Sequence, residues 1–83
     1  MGTMSDHQDS EHFAYNRTWE DIENMLERAE AKQNYWISQF YRAQAVGNRR
    51  LMKDAARNKK ALEGVIKTLR WTLGDKNVPH PLE

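Results

Sequence analysis

The 83-residue chain contains no cysteine. That removes disulfides, thiolate nucleophiles and cysteine-based zinc sites, and it suits a reducing, cytoplasmic setting. No apolar run approaches the roughly 20 residues that a membrane span requires, so no membrane partner is expected. The opening stretch MGTMSDHQDSEHF lacks the basic start and hydrophobic region of a signal peptide. Histidine occurs at His7, His12 and His80 only, never at i, i+4 spacing on a helical stretch. A two-histidine metal site has no support on that pattern, and neither does the Glu-x-x-His of di-iron bundles. The four glycines are scattered and form no phosphate-cradling loop.

Acidic residues do recur at helical spacing, at Glu20, Glu23, Glu27 and Glu30. They fall on a polar face with nothing to desolvate them, and acid–base work needs such a perturbation. Small helical mutases hold anionic substrates with inward Arg and Lys, whereas the inward positions here are apolar or amide. The expectation is therefore a protein without enzymatic activity, cofactor or metal.

What is present is charge, with 30% of residues Asp, Glu, Lys or Arg. The formal net charge of +1 conceals a strong asymmetry. Residues 1–48 carry four Lys/Arg against eight Asp/Glu, and residues 49–70 carry eight against two. An acidic half is followed by a basic half, and such a division needs a physical explanation.

Residues 1–16 are polar and aperiodic and read as a disordered or loosely docked acidic arm. Only Phe13 and Tyr15 there could dock on a core. A helix signal begins at Thr18, a hydroxyl N-cap, with Asp21 three residues on; Asp in place of Glu makes the capping box imperfect. Trp19, Ile22, Leu26, Ala29, Gln33, Trp36, Phe40 and Ala43 then advance by steps of three and four. This is a heptad seam with one polar member, Gln33, and Met25 and Ile37 widen it on either side. Such a helix would be about 40 Å long.

Gly47 and Asn48 supply a left-handed stop and an N-cap for the next helix. There Leu51, Ala55, Asn58, Leu62, Val65, Ile66, Leu69 and Leu73 share a face. Gly74 stops it, and the Pro79 and Pro81 tail cannot continue it. So short a connection predicts an antiparallel αα-hairpin, all-α, with helices at about 18–46 and 49–73. The hairpin domain occupies 17–74 and a flexible, proline-containing tail 75–83. Folding back about Gly47 sets Phe40 near Ala55, Trp36 near Asn58 and Ile22 near Leu73. On that register Asn58 could accept the Trp36 indole N–H.

A chain this short usually needs disulfides, metal or oligomerisation to be robust, and oligomerisation is what remains. The apolar stripe of the first helix is wider than one helical neighbour covers. A homodimer pairing two hairpins into a four-helix bundle is expected, with Trp19, Met25, Ile37 and Tyr41 as its self-association residues. An external protein partner, or alternatively nucleic acid, would use Arg49, Arg50, Lys53, Arg57, Lys60 and Lys67 on the outer face of the second helix. Trp71 beside them offers a stacking or docking ring. The turn, Ala45-Val46-Gly47-Asn48, lacks the Trp-x-Gly signature of small secreted helical hairpins. The general character is that of a small phage or mobile-element accessory protein, although no motif carries that expectation.

Overall fold

The computed structural model describes residues 16–83. Thr18 is extended, and its hydroxyl accepts the Asp21 N–H at 3.0 Å. The Asp21 carboxylate in turn accepts the Thr18 N–H at 3.2 Å. Both halves of the capping box are thus made with the shorter Asp. Glu20 and Asp21 also set negative charge at the positive end of the helix dipole. Helix α1 follows as Trp19–Val46, 28 residues.

Gly47 ends α1 in the left-handed region, at φ 73°. The Asn48 N–H reaches back to the Ala43 carbonyl at 2.8 Å, which satisfies a carbonyl that the helix end leaves free. Asn48 then caps the next helix, its side-chain oxygen accepting the Leu51 N–H at 3.1 Å. Helix α2 runs Arg49–Thr72, 24 residues. It closes in the same manner as α1: Gly74 lies at φ 87°, and the Asp75 N–H donates to the Arg70 carbonyl at 3.0 Å. The described residues are all-helical, with α1 packed against α2 and no strand among them. The expected boundaries hold to within a residue, since Thr18 and Leu73 are caps rather than helical positions.

The face between the helices is the expected seam. Ile22, Leu26, Gln33, Trp36 and Phe40 of α1 and Leu51, Leu62 and Leu69 of α2 are half-buried. Among the described residues only Ala29, Ala43, Ala55 and Ile66 are buried, and no large side chain is fully enclosed. Three seam expectations need correction, the simplest being Val65, which is exposed at the seam's edge. Trp19 is 64% exposed; on the register that sets Ile22 across from Leu73, it lies a turn beyond the end of α2. Asn58 is exposed, and its amide donates to the Asp54 carbonyl of its own helix at 2.8 Å. At the margin of so narrow a seam, an amide is satisfied by its own backbone and by water, without the Trp36 indole.

The stretch 75–83 forms a series of turns. The Asp75 carboxylate accepts the Asn77 N–H, and His80 Nδ1 accepts the Leu82 N–H. The chain reverses so that the His80 ring meets Trp71 edge-on, with centroids 5.0 Å apart. Residues 1–15, including Phe13 and Tyr15 and most of the expected acidic arm, lie outside the described residues.

The two helix-associated glycines Gly47 and Gly64 predict opposite outcomes on substitution. A Cβ at either position meets nothing within 4 Å, but only Gly47 has a positive φ. Gly47→Ala should therefore lower unfolding stability by about 1–2 kcal/mol through backbone strain alone. Gly64→Ala, within α2, should raise it by about 0.5–1 kcal/mol. Chemical denaturation followed by circular dichroism measures both.

Candidate interaction surface

The seam leaves a flank on each side of the hairpin, and the two flanks differ. On one, Ile37, Phe40 and Tyr41 of α1 face Ala56, Lys59, Lys60 and Glu63 of α2 across a recess of about 390 Å³. A second recess of about 320 Å³ adjoins it toward the turn, lined by Phe40, Arg49, Met52, Lys53 and Ala56. Phe40 and Ala56 belong to both. They form one groove with an apolar floor and a wall of four cationic side chains, Arg49, Lys53, Lys59 and Lys60. Phe40 and Tyr41 stand edge-to-face with centroids 5.6 Å apart, which holds the exposed phenol ring at the groove's lip.

Helical geometry explains which expected residues meet. Trp19 and Ile37 are separated by 18 positions, about five turns at 3.6 residues per turn, so they share an azimuth. The same interval relates Glu23 to Tyr41. Met25 and Ile37 are 12 positions apart, about a third of a turn out of phase. Ile37 and Tyr41 accordingly line one groove, whereas Met25 lines a recess on the other flank with Ile22, Arg28 and Leu69. Trp19 lies on the azimuth of Ile37 but at the open end of the hairpin.

The basic stripe is divided in a similar way. All of Arg49, Arg50, Lys53, Arg57 and Lys60 are exposed, but only Arg49, Lys53 and Lys60 wall the groove. Lys67 lines a further recess with Gln33, Ile66, Arg70 and the tail residues Asn77, Val78 and Pro79. Arg70 also pairs across the seam with Glu30, both side chains being nearly half exposed. Trp71 is 44% exposed and is met by His80 of the chain's own tail. Sequence reasoning missed that contact, and it missed Met52, Ala56 and Lys59 in the groove. These last had a signal: Met52, Ala56, Lys59 and Glu63 recur at steps of three and four beside the seam.

The groove is open and its lining is partly cationic. Glu20, Glu23 and Glu27 are exposed on α1. Among the described residues, no group of three His, Cys, Asp or Glu is placed to hold a metal ion. His7 and His12 lie outside those residues. No described helix is long and apolar enough to cross a membrane. No family model, characterised protein or solved structure matches the chain.

The Glu30–Arg70 pair bridges the two helices, yet its exposure limits its worth. Arg70→Ala should cost less than about 1 kcal/mol, and the loss should shrink further at high salt. Denaturation midpoints at two ionic strengths provide the check.

Proposed function

We propose that the chain is a helical-hairpin accessory protein that works by protein–protein contact, first of all with itself, and not by catalysis. The observation that carries this reading is the thinness of the core. Among the described residues three alanines and one isoleucine are buried, while Trp19, Met25, Tyr35, Tyr41 and Trp71 all stand exposed. Burying one large apolar side chain stabilises by roughly 1.5–3 kcal/mol. A hairpin that encloses none of its large residues therefore gains most by covering them against another surface. Two hairpins paired into a four-helix bundle would do so, and Ile37, Phe40 and Tyr41 form one apolar patch for it.

A second reading has one specific observation in its favour. Arg49, Lys53 and Lys60 are set beside aromatic rings in one groove, a combination suited to phosphates and stacked bases. Arg50, Arg57 and Lys67 would extend that surface along α2, and Trp71 would add a ring at its far end.

Sedimentation equilibrium separates the two. Self-association gives a dimer mass at micromolar concentration, and a double Ile37→Glu, Tyr41→Glu variant returns a helical monomer. A mass that stays monomeric at the highest accessible concentration refutes the reading. Titration with single- and double-stranded DNA at two salt concentrations tests the rival, which demands an affinity that falls steeply with salt.

A further inference from the structure

Charge is segregated along the length of this hairpin. The open end, residues 17–30 and 61–83, holds eight Asp/Glu against five Lys/Arg. Residues 31–60, which surround the turn, hold eight Lys/Arg against a single acid, Asp54. α1 carries no acid after Glu30, so the basic wall of the groove has no carboxylate across the seam from it. Among the described residues the one cross-seam ion pair, between Glu30 and Arg70, lies toward the open end. Each molecule is thus a rod with a strongly basic turn end and a weakly acidic open end, where Lys67, Arg70 and Lys76 offset part of the acid.

One flank brings these features into line. Trp19 and Glu23 at the open end share the azimuth of Ile37 and Tyr41 near the turn. We infer that the hairpin pairs head to tail with a second copy of itself, so that Trp19 and Glu23 of each copy enter the basic-walled groove of the other. This rests on the self-association proposed above and adds to it an orientation and a register.

Centring the two copies on the middle of α1 sets Trp19 and Glu23 of one level with Arg49, Met52 and Lys53 of the other. The indole finds an apolar floor and an arginine to stack on, and the carboxylate finds the lysine. Two-fold symmetry makes the contact twice, as an isologous interface requires. The parallel alternative superposes two turns, each with a large excess of positive charge, and like-charge juxtaposition selects against it. The most exposed ring of α1 and the groove, whose four cations outnumber its single acid Glu63, thereby become halves of one contact.

The absence of cysteine makes the orientation directly measurable. Val46 lies beside the turn, is exposed and lines neither groove recess. A Val46→Cys variant of the full chain, spin-labelled, should give a label–label distance of roughly 40 Å, about the length of α1. Parallel pairing brings the turns side by side, at about 10–20 Å given helix spacings of 8–10 Å. Trp19→Ala, a change at an exposed residue that leaves the hairpin intact, should raise the dimer dissociation constant about tenfold or more. Glu23→Lys with Glu27→Lys, and separately Lys53→Glu with Lys60→Glu, should each weaken the homodimer by a similar factor. Mixing those two variants should restore a dimer of wild-type affinity. A dimer with a short label distance, or one indifferent to Trp19→Ala and to the charge reversals, overturns the orientation but leaves self-association standing. A monomeric mass overturns both.

Discussion

Two cylinders that touch along one line can exclude water only from that line. The rest of this hairpin follows from that limit. At the points of closest approach there is room for Ala29, Ala43 and Ala55, and Ile66 is the largest side chain that becomes buried. Trp36, Phe40 and the leucines of α2 stand beside the line and keep part of their surface wet. Small residues at the contact let the backbones approach, and larger ones alongside then reach across. Packing of this kind aligns the helices firmly but leaves much apolar area without cover. The ends of the helices compensate in part. A complete capping box at Thr18, an Asn48 cap and two left-handed glycines satisfy backbone groups that would otherwise depend on water.

The architecture was legible because it rests on short-range rules. Steps of three and four from Ile22 to Ala43 follow from 3.6 residues per turn, and they marked the seam correctly. Gly47 followed by Asn48 marked the reversal, since a left-handed stop and a side-chain acceptor are needed in adjacent positions. What periodicity could not supply was the width of the contact. Asn58 satisfies the spacing, yet the seam is too narrow to hold it, and its amide bonds to Asp54 of the same helix. Val65 meets the spacing equally well and is also exposed. Phase along one helix was likewise a weak guide to neighbours. Met25 and Ile37 both border the stripe, but they border opposite sides of it and so line different recesses.

The groove itself needed two helices to be seen at once. Arg49, Lys53 and Lys60 read as an outer face of α2, remote from the aromatic cluster of α1. Folding places them beside Phe40 and Tyr41, because the edge of one amphipathic face adjoins the edge of the other across the seam. The tail was hidden for a different reason. Residues 75–83 have no periodicity, and their course depends on side-chain acceptors at Asp75 and His80 that fold the chain in separate turns. The approach of His80 to Trp71 results from those turns and has no signature in spacing.

Charge and apolar surface act differently in such a molecule. Exposed ion pairs each contribute at most a fraction of a kcal/mol, so the carboxylates of α1 and the lysines of α2 add little to the stability of the fold. Their arrangement still matters, because like charges forced together cost more than isolated exposed pairs gain. The apolar floor of the groove would accept many surfaces and discriminates poorly among them. On the proposed reading, the basic wall would supply the discrimination by admitting an acidic occupant and repelling another basic one. The acids of α1 lie in its first half and most bases of α2 lie in its own first half beside the turn, so the antiparallel fold keeps the two sets mostly at opposite ends of the rod. The hairpin therefore cannot neutralise its turn end internally, and the charge asymmetry that contributes little to folding is left to select what the groove receives.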